Sequence, residues 1–329
     1  MPESLQTVRI ACHAMATRFE FILHGDHEAS LRAAGEEAME EIIRLEKELG
    51  FRQAGSEIRW LNDRAAQGPV RVSPMLFELL ERSKKLSADS AGAFDITVAP
   101  LMHCWGLAGG EGRFPAEDEV TAALSCVGMD QLILDRSDCT VQFRTPGVLL
   151  DLGSIGKGYA LDVAAEWLRD AGIEHALIHG GTSTAYAIGT PPDEGAWTVA
   201  IVRPEDGPAL GELAVQPIPE QLLAQVPLAD GESLSVSAVW GKSFHHEGTT
   251  YGHVIDPRRG WPVSGAYLAA VVMRSAADTD ALSTALLTLG RDGHATLVPA
   301  HPDIRTLVVL PVDGTDSYET VSEGIPLVN

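Results

Sequence analysis

The 329-residue sequence has few basic residues, few cysteines and no long apolar run. Lys and Arg total 24 against 46 Asp and Glu, which gives a formal net charge of -22. A surface that neutralises phosphates needs clustered Lys and Arg, so this balance argues against nucleic acid or an anionic membrane as a partner. No stretch approaches the ~20 apolar residues of a membrane helix. An anionic ligand would therefore need a local device, such as a helix N-terminus, a lone lysine or a divalent cation.

The cysteines are too sparse and too scattered to form a recognisable framework. Cys12, Cys104, Cys126 and Cys139 show neither C-x-x-C pairing nor the spacing of metal ligands, and this pattern predicts reduced thiols. The N-terminal residues contain no basic stretch followed by an apolar one, which a secretory signal would require. Together these features predict a cytoplasmic protein.

Apolar periodicity predicts an α+β fold with antiparallel or mixed sheets and flanking helices, because strands and helices alternate irregularly. Residues 17–25 (TRFEFILHG) alternate as a half-buried strand does, and 147–153 (GVLLDLG) are expected to form a strand. Residues 56–74 are polar and predict a loop, whereas 197–204 (WTVAIVRP) are expected to continue the sheet. We expect one domain over 1–329, with a possible insertion around 205–232.

A glycine-rich turn precedes a predicted helix in the stretch DLGSIGKGYALD, residues 151–162. Backbone N–H groups and the helix dipole at such a turn can hold an anion, usually a phosphate. The spacing fits neither the P-loop nor the dinucleotide fingerprint. From the residues alone, Lys157 either contacts a phosphate or lies on the surface.

Asp280 and Thr284 lie four residues apart in the predicted helix DTDALSTALLTLG. This spacing places both oxygens on one helix face, where they would suit a hard cation such as Mg²⁺. The alternative is that Asp280 caps the helix and Thr284 packs. His253, before a turn at Asp256 and Pro257, either acts as a general base or hydrogen-bonds a neighbouring loop.

Several segments together resemble the FAD:protein FMN transferase family, also called the ApbE family and formerly described as thiamine-biosynthesis lipoproteins. They follow one another in the order of the family's motifs. The segments are MATRFEF from Met15, SEIRWLN (56–62), GAFDITVAPLMHCWG (92–106), DLGSIGKGYALD (151–162), YGHVIDPRRGWPV (251–263) and DTDALSTALLTLG (278–290).

The resemblance implies an ApbE-like fold whose site binds FAD and Mg²⁺. The implied metal ligands are the Ser154 backbone carbonyl, Asp280 and Thr284. The residues implied at the FAD are Met15, Asp95 and Lys157, with His253 near the reacting phosphate.

The implied activity is Mg²⁺-dependent transfer of FMN from FAD to a Ser or Thr hydroxyl of an acceptor protein, with release of AMP. The partners would be FAD and this acceptor, with no nucleic acid and no membrane. The sequence departs from the family pattern at Thr182, where an Asp is common, and at Ala238 and Trp240, where Gly and Tyr are common. An FAD pyrophosphatase that gives FMN and AMP, or a non-catalytic FAD-binding protein, is the alternative.

Overall fold

A computed structural model of the protein describes residues 5–192, 195–203, 222–240, 243–315 and 317–328. The helices are α1 (Glu28–Leu49), α2 (Glu57–Arg64), α3 (Pro74–Asp89), α4 (Ala99–Cys104), α5 (Glu117–Leu124), α6 (Gly156–Asp170), α7 (Ala276–Leu289) and α8 (Gly293–Leu297). The strands are β1 (Gln6–Ala14), β2 (Thr17–Gly25), β3 (Val70–Arg71), β4 (Leu132–Asp135), β5 (Thr140–Phe143), β6 (His175–Gly180), β7 (Thr184–Ile188), β8 (Trp197–Val202), β9 (Leu222–Leu228), β10 (Ser233–Ala238), β11 (Ser243–His246), β12 (Thr249–Gly252), β13 (Ile255–Asp256), β14 (Trp261–Pro262), β15 (Leu268–Met273), β16 (Arg305–Pro311) and β17 (Tyr318–Glu323).

An eight-stranded sheet forms the centre, in the order β1-β2-β6-β7-β10-β15-β16-β17. Each neighbouring pair in it is antiparallel. A three-stranded sheet (β3-β5-β4) and the pairs β8-β9, β11-β12 and β13-β14 accompany it. The α+β prediction is therefore confirmed, in its antiparallel form.

Both faces of the central sheet are covered, as β15 shows. Ala269 and Val271 belong to the core formed with helices α1, α6 and α7. Leu268, Ala270 and Val272 point the other way, into a second core with β8 and β9. Because successive side chains of a strand face opposite sides of the sheet, five consecutive buried residues require cover on both faces.

Helix α7 is buried around most of its circumference because it packs against α6, β10 and β15. Its polar residues therefore need partners inside the protein. Alternate serines of β10 supply them: Ser233 and Ser235 each lie 3.0 Å from the Thr279 hydroxyl, and Ser237 lies 2.8 Å from Ser283. This polar contact fixes α7 against the sheet.

Local predictions succeeded where periodicity was strong. Strand β2 has the predicted bounds, and Phe19, Phe21 and Leu23 alternate as its buried residues. Strand β1 precedes it and forms a hairpin with it.

Three other predictions were wrong. Residues 147–153 form no strand: the Leu150 N–H donates to the Asn62 side chain, and the Asp151 N–H to the Ile96 carbonyl. The predicted loop 56–74 contains α2, capped by the Ser56 hydroxyl, and β3. Strand β8 does not continue the central sheet but pairs with β9 over the sheet's second face.

Of the predicted insertion around 205–232, residues 205–221 lie outside the described residues, and β9 occupies 222–228. The four cysteines are free thiols. Among the helices of the described ranges, none is both long and apolar enough to cross a membrane.

Candidate functional site

A cavity of about 650 Å³ opens between the N-terminus of α6, helix α7, the end of β10 and the segment after β12. Six of the seven residues predicted at the site line it: Asp95, Ser154, Lys157, His253, Asp280 and Thr284. They come from four separate parts of the chain. The structure therefore brings together most of the residues singled out in the sequence.

Met15, the seventh, is not among the residues that line the cavity in the described part of the chain. It lies in the tight β1–β2 turn with a left-handed backbone (φ 51°), and its N–H donates to the Glu46 carboxylate at 2.8 Å. Thr17, two residues after Met15, packs against Gly181. Gly181 is the residue before Thr182, which lines the cavity. Met15 thus lies near the wall of the cavity and not in it.

The glycine-rich turn is shaped by Asp151, which also lines the cavity. Its carboxylate accepts the Gly153 N–H at 2.8 Å, and the turn leads directly into α6 at Gly156. An Asp side chain that bonds the backbone two residues on forms a turn of its own. The N-terminus of α6 therefore begins beside the cavity, where the partial positive charge of the helix end favours an anion.

Gly158 allows α6 to lie directly against α7. A Cβ at this position would stand 2.0 Å from the Ala276 carbonyl oxygen. The close approach also lets the Gly158 N–H donate to the Asp280 carboxylate at 3.1 Å. Glycine at this position is therefore a requirement of packing between the two helices.

Asp280 is buried, with 4% of its surface exposed, and its carboxylate is paired. The Lys157 ammonium lies 3.2 and 3.3 Å from its two oxygens, and 3.2 Å from the Gly153 carbonyl oxygen. A buried carboxylate is tolerated only when it is paired and hydrogen-bonded. Lys157 is thus directed at the site and is not a surface lysine.

Thr284 lies one turn after Asp280 on the same face of α7, as their spacing predicted. Its hydroxyl donates to the Asp280 backbone carbonyl at 3.3 Å and hydrogen-bonds Ser237 at 3.2 Å. Ser237 lines the cavity too. The capping alternative for Asp280 was wrong, because Ser275 is the N-cap residue of α7.

Asp162 anchors the N-terminus of α7. Its carboxylate accepts the Ala276 and Ala277 N–H groups at 2.7 and 3.0 Å and the Ser275 hydroxyl at 2.8 Å. Arg82 reinforces the anchor through an ion pair with Asp278 at 2.7 Å. Sequence reasoning missed this function of Asp162, although the residue closes the glycine–lysine motif.

Asp95 also lines the cavity and is buried. Its Oδ1 atom accepts both the N–H and the hydroxyl of Thr97, at 2.7 and 2.6 Å. Burial raises the pKa of the Asp95 carboxyl, against the effect of these hydrogen bonds. The group is therefore easier to protonate than an exposed aspartate.

The three departures from the family pattern, Thr182, Ala238 and Trp240, all line the cavity. The Trp240 indole nitrogen is buried and has no hydrogen-bond partner among the described residues. A buried N–H without an acceptor costs free energy unless a ligand satisfies it. This donor therefore favours a polar ligand in the cavity.

The described ranges hold no group of three or more His, Cys, Asp or Glu side chains that could bind a metal. The cavity offers carboxylates, hydroxyls and backbone carbonyls, which are the ligands of a hard cation that keeps substrate oxygens in its shell. Lys157 and the N-terminus of α6 lie beside these donors and suit an oxyanion. This α+β protein therefore has a site with the features needed to bind an oxyanion and a cation together.

A model of the ApbE family matches residues 15–308, and the chain belongs to this family. Proteins named FAD:protein FMN transferase from Klebsiella pneumoniae and Rhodobacter capsulatus are 29% and 30% identical to it. The alignments cover 82% of this chain and 79% of the Klebsiella protein, and 80% of this chain and 47% of the Rhodobacter protein.

Solved structures agree with the fold. The ApbE protein of Thermotoga maritima superimposes with a TM-score of 0.82 at 25% identity, over 95% of this chain and 96% of that one. The Pseudomonas stutzeri flavinyl transferase ApbE in its apo form gives a TM-score of 0.82 at 26% identity, over 98% and 96%.

Proposed function

We propose that this chain transfers FMN from FAD to a Ser or Thr hydroxyl of an acceptor protein, releases AMP and uses Mg²⁺. The relatives named FAD:protein FMN transferase support the reaction class. The observation that carries the proposal is the buried Asp280 carboxylate, which shares one cavity with Lys157 and His253.

Asp280, Thr284 and Ser154 fit Mg²⁺ because each offers an oxygen donor, and of these three only Asp280 supplies a carboxylate. Asp280, Thr284 and the Ser154 carbonyl would hold the ion, and the FAD pyrophosphate would complete its shell. In a chain of net charge -22, such a cation also supplies the positive charge that a pyrophosphate requires.

The cavity also fits FAD. Its volume of about 650 Å³ lies in the usual range of small-molecule sites. Lys157 and the N-terminus of α6 face one part of it and suit phosphates. The unsatisfied Trp240 N–H elsewhere in the cavity offers a donor to a ligand acceptor.

In the proposed reaction the acceptor hydroxyl attacks the FMN-side phosphorus of FAD. The bond from this phosphorus to the bridging oxygen breaks, AMP leaves with that oxygen, and FMN becomes a phosphoester of the acceptor. The hydroxyl proton passes to a base, for which His253 is the candidate in the cavity. When bound, Mg²⁺ supplies electrostatic stabilisation of the charge that develops on the phosphates.

The test is incubation of the purified protein with FAD and Mg²⁺, with and without a protein domain that carries a Ser/Thr acceptor site. AMP is quantified by chromatography, and flavin bound to the acceptor is detected by fluorescence on a denaturing gel. We expect both signals from the wild type. Asp280→Ala should reduce both by on the order of 100-fold or more, since metal charge stabilisation is worth several kcal/mol.

Asp170→Ala is the matched control, because Asp170 is an exposed aspartate at the other end of α6. It should retain both signals. AMP without a fluorescent acceptor would instead indicate an FAD pyrophosphatase, in which water replaces the hydroxyl. Bound FAD without AMP release would indicate a binding protein, and either result would reject the transferase proposal for this acceptor class.

A further inference from the structure

The Lys157 ammonium is paired with the Asp280 carboxylate inside the cavity. It lies within 3.3 Å of three oxygens: both carboxylate oxygens of Asp280 and the Gly153 carbonyl. The Lys157 side chain is one-fifth exposed, whereas that of Asp280 is 5% exposed. The lysine therefore neutralises a carboxylate that has almost no access to water.

This pairing conflicts with metal binding at the same carboxylate. Asp280 Oδ2 also accepts the Gly158 N–H, which leaves Oδ1 as the oxygen whose described hydrogen bond is to Lys157 alone. A divalent cation bound to Oδ1 would meet the ammonium at close range, and like charges so close in a buried site repel strongly. The Lys157 ammonium in this position therefore opposes the binding of a metal at Asp280.

We propose that Lys157 is an exchangeable counter-ion of the site, an inference that rests on the proposed function. Without nucleotide its ammonium holds Asp280. When FAD enters, the ammonium moves to the pyrophosphate oxygens and frees Asp280 for Mg²⁺. The flexible four-carbon side chain permits this movement, and its position in the first turn of α6 places it where phosphates would bind.

The exchange couples the two ligands. Each ligand removes an obstacle to the other: FAD withdraws the ammonium from Asp280, and Mg²⁺ displaces it towards the phosphates. By thermodynamic linkage, the factor by which FAD raises the Mg²⁺ affinity equals the factor by which Mg²⁺ raises the FAD affinity. The free protein should therefore bind Mg²⁺ weakly, although its carboxylate is in place.

The experiment is titration calorimetry of Mg²⁺ alone into the wild type and three variants. Lys157→Met removes the ammonium and keeps the length of the side chain, and Lys157→Arg keeps a positive charge. Lys85→Gln removes a lysine of α3 that pairs with Asp89 outside the cavity, and it controls for overall charge. Circular dichroism first verifies that each variant is folded.

We expect Lys157→Met to bind Mg²⁺ alone at least tenfold more tightly than the wild type. Lys157→Arg and Lys85→Gln should stay within about twofold of the wild type. Flavin fluorescence in the presence of EDTA should show weaker FAD binding by Lys157→Met. This opposite change of the two affinities in one variant is the signature of the exchange.

Equal Mg²⁺ affinities of the wild type and Lys157→Met without FAD would overturn the exchange. So would a tenfold increase in Lys85→Gln, because the effect would then be one of overall charge. The AMP and acceptor-fluorescence assay on the wild type decides the proposed function separately. Failure of the exchange with AMP release intact is therefore distinguishable from failure of the transferase proposal.

Discussion

Gly158→Ala is predicted to separate the two helices that form the site. The added Cβ would stand 2.0 Å from the Ala276 carbonyl oxygen, 2.5 Å from the Ala276 carbonyl carbon and 2.8 Å from the Ala277 nitrogen. All three are backbone atoms, so no side-chain rotation can relieve the overlap. Helix α7 must move away from α6, and the hydrogen bond from the Gly158 N–H to Asp280 is lost with it.

The expected cost follows from these two effects. Forcing an extra methyl group into a packed core costs about 1–3 kcal/mol. Loss of a hydrogen bond to a charged group adds about 1.5–3 kcal/mol. The better helix propensity of alanine offsets at most ~1 kcal/mol of this destabilisation. We therefore expect Gly158→Ala to lower the free energy of unfolding by roughly 2–5 kcal/mol.

Gly156→Ala is the matched control in the same helix. Its Cβ would meet nothing closer than the Leu152 Cβ at 3.9 Å, an ordinary contact. Urea unfolding followed by circular dichroism should show this variant unchanged or slightly more stable. If Gly158→Ala proved as stable as Gly156→Ala, the close approach of α6 and α7 would be refuted. Calorimetry should also show that Gly158→Ala weakens Mg²⁺ binding in the presence of FAD.

Two further predictions concern the carboxylates of Asp162 and Asp95. Asp162→Asn places an amide among the N–H donors of α7 and should cost about 1–3 kcal/mol in urea unfolding; an unchanged midpoint would contradict the anchor at the start of α7. Burial raises the pKa of Asp95 above the ~3.9 of an unfolded aspartate. The folded protein therefore keeps this proton where the unfolded chain has lost it, and the free energy of unfolding falls as pH rises through that window. Asp95→Asn should remove this part of the fall, measured by urea unfolding from about pH 4 to pH 7; identical pH profiles would contradict it.

Much of the local structure could be predicted from the sequence because it depends on periodicity. The alternation of residues 17–25 defined β2, and the spacing of Asp280 and Thr284 placed both residues on the cavity side of α7. Helix α2 was missed because its segment is polar overall. A capping serine was nevertheless present, since Ser56 accepts the Arg59 N–H at 3.1 Å.

Other features depended on partners distant in the chain. Residues 147–153 have the composition of a strand, but their backbone groups bond Asn62 and Ile96 and join no sheet. Strand β8 does not join the central sheet because it pairs with β9 instead. Hydrophobic pattern identifies an extended segment but does not choose its neighbour.

The sequence by itself determined the oxygen donors, their spacing on α7 and the glycine-rich turn. These features depend only on residues that are close together in the chain. The tertiary structure alone decided that Lys157, 123 residues before Asp280, would neutralise that carboxylate. The physical reason is the packing of α6 on α7, which the missing side chain of Gly158 permits and the Asp162 carboxylate fixes. Contacts over such a distance in sequence leave no periodic pattern in the chain.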